Sequence, residues 1–290
     1  MANLTWLRHS RKATFITVLL ALSLVTAGAA IGASSKTTFT PQKADQITNI
    51  DVLRIQIERY YGDPGKTGVF GANSNYAKEA SSVAAAGARW LKAQAHKSSG
   101  MPAIVLDVDD TTLTTWNYEI HSNWAYNPAD NATYVLGQWF PATPGMAAMV
   151  NEAAAEGYAV FFITGRPLAQ RDATLGNLGG DDGIPAPDVD AGYVTPTEID
   201  RTGAGDVGPG LFTKPPVGAY PGYLDKPEFC ADAIAAAKSC GTIAYKSGTR
   251  AYIESLGYDI VASFGDQPSD LAGGYADRTF KMPNPNYYLP

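Results

Sequence analysis

Asp107 and Asp109 stand two residues apart directly after a fully apolar run, Ala103-Ile104-Val105-Leu106. Thr164-Gly165-Arg166 follows a second such run, YAVFFI at 158–163. Asp266 and Asp270 follow a third, DIVASF at 259–264, and Lys246 precedes the helix leading into it. Carboxylates converging from separate strands repel one another unless a divalent cation joins them. Hard oxygen donors facing a phosphoryl group suit Mg2+ better than Zn2+, and beyond residue 33 the chain has only His96 and His121 as imidazole donors. A carboxylate nucleophile, a metal and a lysine are the parts needed for phosphoryl transfer through an aspartyl phosphate. Thr164 and nearby backbone N–H groups would hold one phosphoryl oxygen. Asp109 would give a proton to the leaving alcohol and then take one from water.

Such groups meet only if the three runs are neighbouring strands whose carboxyl ends face the same way. The hydrophobic pattern supports this. Residues 103–106, 158–163 and 259–264 read as buried parallel strands, with a fourth at 278–282. Helices are expected at 144–156, 167–178 and 249–256, which gives a Rossmann-like three-layer α/β sandwich with a mainly parallel sheet. Two amphipathic helices precede it. One, over 46–61, places Ile47, Ile50, Leu53, Ile57 and Tyr60 on one face; the other, over 75–95, does so with Tyr76, Ala80, Val83, Gly87, Trp90 and Leu91. Residues 179–227, rich in Gly, Pro and Asp, are expected to hold little regular structure. Residues 113–142 carry Trp116, Tyr118, Trp124, Tyr126, Tyr134 and Trp139. They read as a small helical cover packed on the sheet, with one or two rings left to stack at the mouth of a site.

The chain has 290 residues, 45% hydrophobic, 17% charged and 11% aromatic, which suits a sizeable core and excludes a disordered chain. Its net charge is −6; residues 1–33 hold three of the 22 basic residues and no acid, leaving 19 against 28, or −9. That balance argues against a nucleic-acid polymer as partner and requires a local cation for any anionic substrate. Residues 1–12 are basic, 13–30 mostly apolar, and Ala27-Gly28-Ala29 and Ile31-Gly32-Ala33 are acceptable cleavage sites. This is the order of a secretory signal, with an uncleaved anchor as the alternative. The expected organisation is a signal peptide at 1–33, a flexible leader at 34–45, a helical extension at 46–100 and a catalytic domain at 101–290. The product would be secreted or extracytoplasmic and free of the membrane after cleavage; oligomeric state leaves no sign in the sequence. Export would let Cys230 and Cys240 pair. A helix running through both would hold their Cα atoms ~15 Å apart, so a bridge requires a short helix and a turn at Cys240-Gly241. Gly203-Ala-Gly205-Asp-Val-Gly208 fits a dinucleotide-binding pattern in letters, but leads into Pro209 rather than a helix.

The ordered set DVDDT, ITGR, Lys246 and GDQPSD resembles the four signature motifs of the haloacid dehalogenase superfamily. It is most similar to the secreted acid phosphatases, the class B/C bacterial and plant vegetative-storage-protein-like group. The resemblance spans roughly residues 100–290 and implies a haloacid dehalogenase fold with a small cap or none. It implies a secreted, Mg2+-dependent acid phosphatase acting on small phosphomonoesters. Asp107 would be nucleophile and Mg2+ ligand, and Asp109 the general acid/base with its backbone carbonyl on the metal. Thr164 would bind the phosphoryl group, Lys246 would stabilise it and Asp107, and Asp266 would complete the metal site, with Asp270 either binding the metal through water or orienting Asp266. Gly165 and Arg166 would assist in binding substrate, although Arg166 facing solvent remains open. Asp110 and Thr111 would stabilise their loop. Phosphotransfer on the same core, and a non-catalytic secreted cation-binding protein, remain as alternatives.

Overall fold

The structure, a computed structural model, describes residues 40–94, 100–179 and 191–289. The expected signal peptide, the first half of the leader and His96 lie outside the described residues. Asn49 accepts hydrogen bonds from Asp51 N and Val52 N, starting α1 (Ile50–Tyr60) later than the apolar period suggests. Only the last turns of α1 reach the core. Ile57 is buried and Tyr60 half-buried, whereas Ile47, Ile50 and Leu53, expected on the same packed face, are exposed. Tyr61 then stacks between Trp116 at 4.1 Å and Tyr76 at 4.3 Å. The second helix, α2 (Asn75–Gln94), buries Tyr76, Ala80, Gly87 and Leu91 as its pattern predicts. A Cβ at Gly87 would lie 2.6 Å from the Phe264 ring, so glycine allows α2 to lie directly on the sheet.

In chain order there follow β1 (Met101–Leu106), α3 (Trp116–Ser122), α4 (Pro128–Leu136), α5 (Met146–Ala155), β2 (Ala159–Pro167) and α6 (Arg171–Gly179). Next come β3 (Glu198–Asp200), β4 (Val207–Pro209), β5 (Leu211–Lys214), α7 (Ala231–Ala235), α8 (Thr242–Ser255), β6 (Tyr258–Gly265), α9 (Pro268–Leu271) and β7 (Thr279–Lys281). The main sheet is parallel, in the order β5-β2-β1-β6-β7, and β3 and β4 form a separate antiparallel pair. Alternate strand residues enter opposite cores. Ile104, Leu106, Val160, Phe162 and Phe264 face the layer of α2 and α5; Ala103, Val105, Phe161, Ile163 and Ile260 face α8. The result is a three-layer α/β sandwich. No helix among the described residues is long and apolar enough to cross a membrane.

Three expectations are corrected. Residues 179–227 contain an edge strand of the main sheet, β5, tied to β2 by the Phe162 N–H donating to the Gly210 carbonyl at 2.9 Å. Its four residues among Gly and Pro are too short to show a period. The helix expected at 249–256 begins at Thr242, because its inward face carries Lys246 and Arg250 among Tyr245, Thr249 and Ile253 and does not read as apolar. Lys246 consequently lies within α8 and not before it. In the open case, Cys230 and Cys240 are bonded in the structure, with Cα atoms 5.4 Å apart. α7 is only five residues long, and Ala237, with φ +50°, turns the chain back.

Candidate active site

β2, β1 and β6 are adjacent at the centre of the sheet, which brings their carboxyl ends together. Asp107 leaves β1 with its N–H donating to the Phe264 carbonyl of β6 at 3.0 Å. The chain then folds back, with Asp110 at φ +52° and its N–H donating to the Leu113 carbonyl at 2.7 Å. Aspartate tolerates this left-handed conformation because its short side chain can bond nearby backbone. The Asp110 carboxylate accepts from Thr115 N at 3.0 Å and Thr115 Oγ1 at 2.6 Å, and so holds the loop. On the other side β6 ends at Gly265, where a Cβ would lie 2.1 Å from that of Asp270. Glycine is needed there for the α9 turn to bring Asp270 back over the strand end.

Asp107, Asp266 and Asp270 are all buried, and each offers a carboxylate oxygen within 4.8 Å of the others. The Lys246 ammonium donates to Asp107 Oδ1 and, at 2.6 Å, to Asp270 Oδ1. One helical turn further along α8, buried Arg250 donates to the carbonyls of Asp270 (2.7 Å), Gly274 (2.9 Å) and Ala272. One face of α8 therefore holds Asp270 by its side chain and by its loop. Burial, and then the neighbouring Asp270, push the Asp107 carboxyl up to about 7, against the pull of Lys246. Burial pushes Asp110 up to about 6 against the hydrogen bonds from Thr115, and holds Asp266 well above the usual carboxylate range. Burial alone would lower the Lys246 ammonium, but the charges of Asp107 and Asp270 outweigh it and its net direction is up. Asp107, Asp266 and Asp270, with buried Asp110 near Asp266, thus form an acidic cluster in which Lys246 pairs with Asp107 and Asp270. Hard oxygen donors with this excess of negative charge fit a divalent cation.

Thr164 is buried in β2 just before its bulge, and its Oγ1 accepts from Arg166 N at 3.2 Å. The β2–β5 register shifts between Thr164 and Pro167, a bulge that sets residues 165 and 166 apart from the ladder; Gly165 is exposed. Arg166 does not face solvent. Its guanidinium is buried, donates to both oxygens of Asp109 (2.6 and 3.1 Å) and to Thr174 Oγ1 (2.9 Å), and lies 5.4 Å over the Phe140 ring. The Asp109 side chain thus belongs to Arg166 here and stands outside the three-carboxylate cluster. Of the aromatic residues in 113–142, Trp116 and Tyr118 are core. Tyr134 and Trp139 line an open cleft of about 490 Å³ with Thr67, Asn117, Ile120 and His121.

Two features escaped the sequence reading. Asn284 Nδ2 donates to Asp266 Oδ2 at 2.7 Å; its one sequence signal is its place between Pro283 and Pro285 just after the last strand. Glu119 on α3 is buried, and burial, with Asp110 and Asp109 nearby, pushes its carboxyl up to about 8. Nothing in its local sequence marks it.

The fold and the acid cluster define a parallel α/β protein with a carboxylate-rich centre at adjacent strand ends. Comparison with known proteins gives this class its family. The model of the haloacid dehalogenase (HAD) superfamily, subfamily IIIB (acid phosphatase), matches residues 29–185 and 232–290. The chain belongs to that family. The stem 28 kDa glycoprotein of Glycine max is 26% identical over 192 residues, 64% of this chain and 59% of the relative. Acid phosphatase 1 of Solanum lycopersicum is 26% identical over 194 residues, 66% of this chain and 60% of the relative. The chain thus spans about three fifths of the length of these curated relatives. The solved class C acid phosphatase from Bacillus anthracis is 19% identical, with a TM-score of 0.49 over 74% of this chain and 80% of that one.

Proposed function

We propose that the chain is an exported, Mg2+-dependent phosphatase that hydrolyses small phosphomonoesters through an aspartyl phosphate on Asp107. The observation that carries this reading is the meeting of Lys246 with Asp107 and Asp270, beside Asp266, at the ends of adjacent strands. Asp107, Asp266 and Asp270, with the Asp109 backbone carbonyl, would hold Mg2+, which when bound neutralises charge on the phosphoryl oxygens.

In the first half-reaction an Asp107 oxygen bonds to phosphorus as the P–O bond to the alcohol breaks, and Asp109 gives the leaving oxygen a proton. In the second, water attacks phosphorus and loses a proton to Asp109. The Asp107–phosphorus bond breaks and inorganic phosphate leaves. Thr164 Oγ1, with the Gly165 N–H at the bulge, would hold a non-bridging oxygen, and the Lys246 ammonium would offset the charge of Asp107 and the phosphoryl group. Export is supported by the composition of residues 1–33 and by the Cys230–Cys240 bond, which persists in oxidising compartments. The test is phosphate release from a panel of small esters with and without Mg2+, alongside Asp107→Asn. Metal-dependent release that disappears in the variant is expected; full activity in Asp107→Asn would remove Asp107 from the reaction.

A further inference from the structure

The segment after β7, residues 282–289, returns across both loops of the acid cluster. Met282 N donates to the Gly265 carbonyl at 2.8 Å, continuing the register of β7 beside β6. Asn286 Nδ2 donates to Tyr61 Oη at 2.9 Å and its Oδ1 accepts from Trp124 Nε1 at 3.3 Å, tying the segment to the helical side of the molecule. Between these anchors Asn284 reaches Asp266. Its orientation is determined: Oδ1 accepts from Asn286 N at 2.8 Å, so Nδ2 is turned to Asp266 Oδ2 at 2.7 Å. Gln267 repeats the device from the other side. Its Oε1 accepts from Leu289 N at 2.9 Å, and its Nε2 donates to the same Asp266 oxygen at 2.6 Å.

We propose that Asn284 is a positioning residue for the metal-site carboxylate Asp266, and that the segment 282–289 is the strap that holds it there. This rests on reading Asp107, Asp266 and Asp270 as the Mg2+ site. Two amide donors saturate Oδ2 and fix the plane of the carboxylate. Oδ1, which among the described residues accepts only from Thr111 Oγ1 at 3.3 Å, is left for the ion. Pro283 and Pro285 restrict the backbone on both sides of Asn284, so little entropy is lost in presenting its amide. Partners that orient a ligand in this way typically govern metal affinity by about 10- to 100-fold.

The experiment is calorimetric titration of the metal-free full chain with Mg2+, for the wild type, Asn284→Ala and the near-isosteric Asn284→Leu. Thermal unfolding of each metal-free protein is measured in parallel. The expected result is Mg2+ binding weakened about 10- to 100-fold in both variants, metal-free midpoints close to wild type, and turnover recovered by excess Mg2+. Binding within about threefold of wild type, well below the range for such partners, would overturn the proposal. Loss of the fold in both variants would also overturn it, by making Asn284 purely structural. A wild-type chain that takes up no Mg2+ would instead remove the metal reading beneath it.

Discussion

Lys246→Met removes the one buried cation between Asp107 and Asp270 while leaving a side chain of similar length on α8. The ammonium bonds both carboxylates and all three groups are buried. Deleting one partner of a buried ion pair strands the others, at about 3–5 kcal/mol. The pH dependence follows from Asp107. A carboxyl whose folded pKa exceeds its unfolded value costs stability once pH passes the unfolded value, and the cost stops growing at the folded pKa. In the wild type that growth ends near pH 7, because Lys246 offsets part of the effect of burial and of Asp270. In Lys246→Met the carboxyl titrates higher still, so the two proteins diverge above pH 7 and converge below it. Urea unfolding in metal-free buffer should show a larger deficit at pH 8.5 than at pH 5.5. A deficit under ~1 kcal/mol at pH 8.5, or one that does not change with pH, would refute the buried three-group arrangement.

Glu119→Gln is expected to stabilise the protein at pH 8 by on the order of 1–3 kcal/mol and to be neutral near pH 4. The sign follows because its carboxyl, pushed up to about 8, costs stability only above its unfolded value; urea midpoints at the two pH values check this. Replacing Cys230 and Cys240 together by Ser opens a loop of sequence separation 10 and should cost about 3 kcal/mol in the same assay, equal to the effect of reducing the wild type. Arg166→Met frees the Asp109 carboxylate from its two-point contact. Turnover should fall about tenfold or more on alkyl phosphates, which need protonation on departure, and much less on nitrophenyl phosphate. Equal losses on both would assign Arg166 to phosphate binding.

The central strands were legible because each is a short, fully apolar run bounded by polar chemistry, a pattern forced by burial on both faces. The candidate site residues were legible for the same reason, since they stand where those runs stop. What escaped depends on partners distant in the chain. Arg166 meets Asp109 across 57 positions, and Asn286 meets Tyr61 across 225. No local period reports such contacts. α8 was misplaced because its buried face is charged: Lys246 and Arg250 point inward to carboxylates and carbonyls, where a hydrophobic pattern anticipates apolar side chains. The first turn of α1 failed in the opposite sense. Its Ile50 and Leu53 look like core residues, yet they remain exposed because only the end of the helix reaches the Tyr61–Trp116 stack. β5 is too short to show any period.

The covalent step is tested most directly by acid-quenching the enzyme during turnover of a radiolabelled phosphomonoester and mapping the label by peptide mass spectrometry. The account predicts a hydroxylamine-sensitive phosphoryl group on Asp107, formed in the wild type and absent from Asp107→Asn. Label on another residue such as His121, or steady turnover by a protein that never carries label under these conditions, would contradict it.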